Sequence, residues 1–132
     1  MPGYRSGGIL IQEMRRGVGE LLVGLTRDPL VGPIVTVAMG GVLTEIYKDA
    51  SVRAAPVSAA EAADMLDEIK GVALLRGFRG APRGDLEAAA KAIAGFSRLA
   101  LSASVSEAEI NPLLVGAEGD GAMILDALVR IA

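Results

Sequence analysis

The chain has 132 residues and a net charge of −3, and 52% of its residues are hydrophobic although only 3% are aromatic. A chain of this size and composition predicts one domain with an aliphatic core, and the absence of a basic run or of stacking side chains argues against a nucleic-acid partner. Cysteine and histidine are both absent, which excludes disulfides, thiolate or imidazole metal ligands, serine–histidine catalysis and a phosphohistidine on this chain.

The first part of the chain predicts β-strands. Residues 1–8 are expected to form a flexible leader, and no apolar run approaches the roughly 20 residues that span a bilayer, so we expect a cytoplasmic protein without membrane contact. The short glycine-containing link at residues 15–19 favours an antiparallel hairpin between the two strands beside it. The apolar or β-branched runs that predict strands are residues 8–14, 20–26, 33–39, 42–47 and 51–55.

Helix signals follow. Ser58 and Glu61 have the spacing of a capping box, the apolar residues after them recur at helical spacing, and Gly71 suits a helix stop. Asp85 is expected to cap a second helix that runs to about residue 101. Two further strands are predicted over residues 109–115 and 122–129, with a turn at 118–121. Because strands and helices do not alternate, we predict an α+β fold: a mostly antiparallel sheet with two helices packed on one face, over residues 9–132.

Oxygen ligands converge in the last two predicted strands. Glu109 and Asn111 are two residues apart and therefore point to one face of a strand, and Asp126 lies in the following run. If the two runs pair, the three side chains form a site of the kind that Mg²⁺ prefers. Spacing alone leaves an alternative open, in which Glu109 and Asn111 are turn residues and Asp126 lies on a solvated face.

Several other residues are candidates for phosphate contact. Arg27, Arg53 and Arg79 lie at strand ends or in a glycine-rich loop, where a guanidinium can meet phosphate oxygens, although each is also acceptable as a surface arginine. Gly41, in the pair that follows the third strand, allows backbone amides to approach a phosphate, or else marks a bulge. Glu20 and Glu45, on apolar strands, face either the same cleft or water; no Walker A or dinucleotide-binding glycine motif is present.

Four segments form an ordered set of motifs along the chain. They are Gly-Glu-Leu-Leu-Val-Gly-Leu-Thr-Arg-Asp-Pro at 19–29, Gly-Gly-Val-Leu-Thr-Glu at 40–45, Leu-Arg-Gly-Phe-Arg-Gly at 75–80 and Glu-Ile-Asn-Pro-Leu-Leu-Val at 109–115. Their order resembles the ATP-grasp domain of nucleoside-diphosphate-forming acyl-CoA (acetyl-CoA) synthetases, and the resemblance extends from about residue 8 to the end of the chain. The strand at 109–115 is also similar to one in the succinyl-CoA synthetase beta subunit.

This resemblance implies the C-terminal subdomain of an ATP-grasp fold and the reversible conversion of acyl-CoA, nucleoside diphosphate and phosphate into free acid, CoA and nucleoside triphosphate, through an acyl phosphate and a phosphohistidine. It implies Asn111 and Asp126 as magnesium ligands and Glu109 as the acidic residue close to the transferred phosphoryl group. By the same resemblance, the residues near the nucleotide phosphates of ATP or ADP are Glu20, Arg27, Gly41, Glu45 and Arg53.

The resemblance also implies partners that this chain does not contain. These are the N-terminal ATP-grasp subdomain, which carries most of the nucleotide pocket, and a CoA-binding domain with the phosphohistidine. We therefore predict that the chain alone has no ligase activity, and we expect self-association through its exposed cleft. Two alternatives remain: a degenerate ATP-grasp module with a regulatory or scaffold role, for example beside a protein acyltransferase, and a plain interaction domain.

Overall fold

The protein was analysed as a computed structural model, which describes residues 4–6, 9–11, 17–40 and 49–132. The strands are β1 (Tyr4–Ser6), β2 (Ile9–Ile11), β3 (Gly19–Asp28), β4 (Gly32–Met39), β5 (Ala50–Ala54), β6 (Val105–Val115), β7 (Ala122–Ile124) and β8 (Ala127–Ile131). The α-helices are α1 (Ala59–Glu68) and α2 (Leu86–Ser97). Short 3₁₀ helices cover Lys70–Leu75, Phe78–Gly80 and Arg98–Leu101.

The main sheet is antiparallel throughout, which confirms the predicted fold class. Its order is β5-β4-β3-β6-β7, and β8 pairs with the same edge of β6 as β7 does, nearer the start of β6. β1 and β2 form a separate two-stranded sheet. The two longest of the described strands, β3 and β6, are neighbours at the centre, so the backbone of β6 is hydrogen-bonded on both sides.

Residues of alternate parity divide the main sheet into two faces, as the two-residue period of a strand requires. We call the two the helix face and the open face. On the helix face, large aliphatic side chains of β3, β4 and β6 are fully buried against both helices. These include Leu21, Val23, Val35, Val37, Ile110 and Leu113, packed with Met65, Leu66, Ala89 and Ile93.

Both helices begin where capping residues predict. Ser58 Oγ accepts a hydrogen bond from the Glu61 amide at 3.0 Å, and the Glu61 carboxylate accepts one from the Ser58 amide at 2.9 Å, which confirms the capping box. Asp85 caps α2 by accepting from the Ala88 amide at 3.1 Å. Gly71 does not end α1: the helix stops at Glu68, and Gly71 lies within the following 3₁₀ helix, where its amide donates to the Asp49 carboxylate.

Three predictions for the first 47 residues have different outcomes. The hairpin predicted between residues 8–14 and 20–26 is wrong, because β2 pairs with β1 whereas β3 pairs with β4 and β6. The strand predicted over residues 42–47 lies outside the described residues. Within the leader predicted over residues 1–8 the structure forms β1, and the domain boundary placed after residue 8 stays a prediction.

The strand predicted over residues 122–129 is divided into β7 and β8. On β6, Pro112 has no N–H to donate, so the ladder is interrupted at that level and Leu125 and Asp126 fall between the two strands. In the part of the chain that the structure describes, no helix is long and apolar enough to cross a bilayer.

Candidate functional site

A β-bulge in β6 positions the middle of the candidate site. Leu21 pairs with Leu113 and Val23 pairs with Ile110, so one residue of β3 faces two residues of β6, Asn111 and Pro112. The Asn111–Pro112 peptide bond is cis. A bulge changes the direction of a side chain relative to regular alternation, and bulges are common beside functional sites.

The structure brings Glu109, Asn111 and Asp126 together. They line one open pocket of about 280 Å³, whose remaining walls are Ala127 and Leu128 at the start of β8. This confirms the predicted pairing of the two terminal runs and the convergence of the three polar side chains.

Main-chain hydrogen bonds hold Asp126 against β6. The Asn111 amide donates to the Asp126 carbonyl at 3.0 Å, and the Leu125 amide donates to the Pro112 carbonyl at 3.0 Å. The Asp126 side chain accepts from the Ala127 amide through Oδ1 at 2.9 Å. The segment between β7 and β8 is therefore fixed at the level of the bulge, and it presents the Asp126 carboxylate beside the Asn111 amide.

The pocket offers two carboxylates and one side-chain amide, all on exposed residues. Oxygen donors of this kind suit Mg²⁺, which keeps several water ligands and is usually bound through one or two carboxylates together with substrate phosphates. Within residues 17–40 and 49–132 no group of three or more carboxylates is placed to hold a metal ion. The donor set therefore fits a magnesium ion that shares its ligands with a phosphate better than one held by protein alone.

A larger cavity of about 520 Å³ lies beside this pocket on the open face of the sheet, and Glu109 and Leu128 line both. Its floor crosses five strands, β3, β4, β5, β6 and β8, and carries mainly small or apolar side chains. They include Leu22, Gly24, Thr26, Thr36, Ala38 and Ala50. A solvated face of an antiparallel sheet usually carries longer polar side chains, so this floor has the character of a surface that covers a ligand.

Glu107 and Arg130 form an ion pair beside the cavity that sequence reasoning missed. Arg130 Nε lies 2.6 Å from Glu107 Oε1, and the two residues lie opposite each other on β8 and β6. Glu107 also lines the cavity together with Glu109, two residues later. Strand parity was the available signal, because the spacing that relates Glu109 to Asn111 also relates Glu107 to Glu109.

Arg27 and Arg53 are not at this site. Arg27 has the parity of the helix face, and its guanidinium donates to the carbonyls of Val105, Ala100 and Ser102 at 2.8, 3.2 and 2.7 Å. Arg53 lies opposite Val35, also on the helix face, and pairs with Glu68 of α1. The Glu68 carboxylate raises the pKa of Arg53, and this pairing in turn lowers the pKa of Glu68. Both arginines therefore have structural partners, and a contact with phosphate stays a prediction.

The other predicted residues that the structure describes lie outside both pockets. Glu20 is exposed on β3 opposite Leu114, toward the end of the sheet where the Gly40 amide donates to its carbonyl at 2.8 Å. Gly41 and Glu45 lie outside the described residues. Arg79 is in the loop between the helices, where its guanidinium lies 5.2 Å from the Phe78 ring centroid.

Comparison with known proteins extends these observations. The model of the ATP-grasp domain family matches residues 1–131. The chain is 42% identical over 120 residues to the ADP-forming acetate–CoA ligase I of Archaeoglobus fulgidus. The matched region covers 90% of this chain and 18% of that protein. It is 39% identical over 121 residues to the beta subunit of the ADP-forming acetate–CoA ligase I of Pyrococcus furiosus. That match covers 91% of this chain and 51% of the subunit.

Solved structures give the same picture. The chain superposes with a TM-score of 0.84 and 36% identity on an acetyl-coenzyme A synthetase of Ca. Korarchaeum cryptofilum in complex with coenzyme A and Mg-AMPPCP, and the match covers 95% of this chain and 58% of that one. The chain thus spans about a fifth of the first of these relatives and about half of the Pyrococcus subunit.

Proposed function

Because the chain belongs to the ATP-grasp domain family, we propose that it forms the magnesium and phosphate side of the nucleotide site in an ADP-forming acyl-CoA synthetase. The observation that carries the proposal is the convergence of Glu109, Asn111 and Asp126 beside the open-face cavity. The named relatives and the magnesium nucleotide in the similar solved structure support it.

In this proposal Asn111 and Asp126 hold the magnesium ion through side-chain oxygens, and the ion offsets negative charge on the phosphates when it is bound. Glu109 lies on the shared wall of the two pockets, between the metal donors and the cavity floor. Within the described residues its carboxylate has no hydrogen-bond partner, so its oxygens are available to orient a ligand or a metal-bound water. We assign it the role nearest the phosphoryl group.

The site has one wall in this chain. The open-face cavity is bounded by the sheet alone, and the described residues near it include no lysine. We propose that an N-terminal ATP-grasp subdomain supplies the opposite wall and that a CoA-binding domain supplies the phosphohistidine. The complete protein then converts acyl-CoA, ADP and phosphate into free acid, CoA and ATP.

A segment exchange tests this function. The 132-residue chain is exchanged for the matching segment of the Archaeoglobus ligase, and ATP formation is measured from acetyl-CoA, ADP and phosphate. We expect the hybrid to be active, the chain alone to be inactive, and the hybrid with Glu109→Gln to be about 10²-fold slower or worse, as for removal of one preorganised charge.

The hybrid with Glu87→Gln, on the exposed surface of α2, is the matched control and is expected to retain activity. A hybrid that folds and binds CoA but forms no ATP contradicts the proposal and favours the degenerate scaffold module. ATP formation by the isolated chain contradicts the proposal that other domains must complete the site.

A further inference from the structure

Nothing in the described residues explains why position 24 is a glycine. It lies in the middle of β3, the central strand, where glycine weakens a strand because it adds backbone entropy and no packing. Its φ is not in the left-handed region, and a Cβ built on it meets no atom within 4 Å. Neither the backbone conformation of Gly24 nor crowding by the residues that the structure describes therefore requires glycine at this position.

Two other glycines of the domain, unlike Gly24, have protein atoms close to the position of a Cβ. A Cβ on Gly19 approaches Leu75 Cδ2 to 2.4 Å, and a Cβ on Gly84 approaches Val18 Cγ2 to 3.1 Å. Close packing inside the chain explains those two. Gly95, on the exposed side of α2, resembles Gly24 in having open space around it, but it lies far in the fold from the polar pocket.

The place of Gly24 is specific. It lies opposite Glu109 on one side and opposite Thr36 on the other, on the open face of the sheet. On β3 and the neighbouring β4, the open-face residues nearest to it that line the cavity are Leu22, Thr26, Thr36 and Ala38, whereas the helix face of the same strands carries Val23, Leu25 and Val35, which are fully buried. Glycine within a strand commonly marks a point of close approach by a ligand.

We infer that Gly24 is a ligand-positioning residue: the missing side chain leaves the space in which the phosphate-bearing part of a magnesium-bound nucleotide lies against β3, beside Glu109. This inference rests on the proposed function and adds a residue to it that makes no polar contact. A side chain at this position fills that space and displaces the nucleotide from the Glu109 carboxylate, while the metal donors Asn111 and Asp126 stay in place.

Stability and binding are expected to change in opposite directions. Gly24→Val adds a β-branched side chain to an open position of a strand, so the Tm of the full chain is expected to rise by about 2–4 °C. The same side chain is expected to weaken Mg-ADP binding by about 10- to 100-fold, as overpacking of a contact does.

Binding is measured in the hybrid ligase, because the nucleotide pocket needs its second wall, and stability is measured in the isolated chain. Titration calorimetry of the hybrid gives the Mg-ADP dissociation constant, while circular dichroism of the isolated chain gives Tm. Gly95→Ala is the matched control: it also fills open space beside a glycine and raises Tm, and it is expected to leave Mg-ADP binding unchanged. Broadening of the Glu109 and Ile110 amides by Mn²⁺ alone, in the ¹⁵N-labelled isolated chain, tests whether the metal donors are intact, and is expected to be equal in all three proteins.

Each outcome decides a different point. Higher Tm with weaker Mg-ADP binding and unchanged Mn²⁺ broadening supports the inference. Equal Mg-ADP binding by Gly24→Val and the wild type overturns it and leaves the proposed function standing, and so does a fall in Tm, because glycine would then be required by the fold. A wild-type hybrid that folds and binds CoA but does not bind Mg-ADP overturns the proposed function as well.

Discussion

The Arg27 side chain donates from Nε to the main-chain carbonyl of Val105 at 2.8 Å, across 78 residues of sequence. Its Nη2 atom also donates to the carbonyls of Ala100 and Ser102. One guanidinium thus joins the central strand β3 to the end of the last 3₁₀ helix and to the first residue of β6. It fixes the point at which the strand that carries Glu109 enters the sheet.

Arg27→Met is expected to lower the free energy of unfolding by about 2 kcal/mol, because three carbonyl groups lose a charged donor. Urea unfolding of the isolated chain without nucleotide is the measurement. Arg98→Met is the control, since Arg98 is an exposed arginine at the end of α2, and it is expected to change stability by less than about 0.5 kcal/mol. If Arg27→Met has wild-type stability, the structural role of Arg27 is contradicted, and the phosphate contact predicted from the sequence is favoured instead.

Asp85 is expected to make the free energy of unfolding fall in acid. Its carboxylate accepts from the amides of Ala88, Gly121 and Gly119, and these hydrogen bonds lower its pKa. A lowered folded-state pKa means that the stabilisation is complete above the ordinary value of about 3.9 and is lost as the pH falls through the folded value. Asp85→Ala is expected to cost about 1 kcal/mol near pH 7.

The measurement is urea unfolding of the wild type and Asp85→Ala at several pH values. The difference between them is expected to shrink below about pH 4, because the wild-type carboxyl group is then protonated as well. A difference that stays constant to about pH 2.5 contradicts the assignment, since it would show that the charge of Asp85 does not contribute.

Arg79 is the described non-glycine residue with a positive φ, at 54°, between Gly77 and Gly80. A left-handed backbone conformation costs an L-residue about 1 kcal/mol. Arg79→Gly is therefore expected to raise the free energy of unfolding by about 0.5–1 kcal/mol, although it removes the contact with the Phe78 ring. The measurement is thermal unfolding, with Gly80→Ala as the opposite substitution, which is expected to lower Tm because Gly80 has a φ of 77°.

Asp126→Asn tests the metal role separately from the fold. In the hybrid ligase, the magnesium concentration that supports half-maximal ATP formation is expected to rise by about 10- to 100-fold, because one anionic donor becomes neutral. The rate at saturating magnesium is expected to recover in part, which a purely structural role would not produce. Unchanged magnesium dependence, with Glu87→Gln measured in parallel, contradicts the assignment of Asp126 as a ligand.

Local signals predicted the helices and the site pairing well. Ser58, Glu61 and Asp85 cap their helices through contacts with residues three positions away, so the local sequence contains the cause of each cap. The convergence of Glu109 and Asp126 was also predictable, because both terminal runs are apolar and a short turn joins them. Here the sequence supplied both the strands and the reason for their pairing.

Long-range pairing was not predictable in the same way. β3 pairs with β4 and with β6, and no local signal in residues 8–26 distinguishes that outcome from a hairpin with β2. The break between β7 and β8 depends on Pro112 in a different strand. The positions of Arg27 and Arg53 were in principle available from parity, since Arg27 shares the alternation of Leu21, Val23 and Leu25.

The division of the last run into β7 and β8 has a consequence for motion. β6 has a hydrogen-bonded neighbour on both sides, and those of its amides that bond to β3 are expected to exchange with deuterium only when the whole domain unfolds. The five residues of β8 are all exposed and pair on one side with β6, so this edge can open alone, and Asp126 opens with it. A cation shared by Asn111 and Asp126 would therefore couple the most and the least protected parts of the sheet, and its binding would slow deuterium exchange along β8.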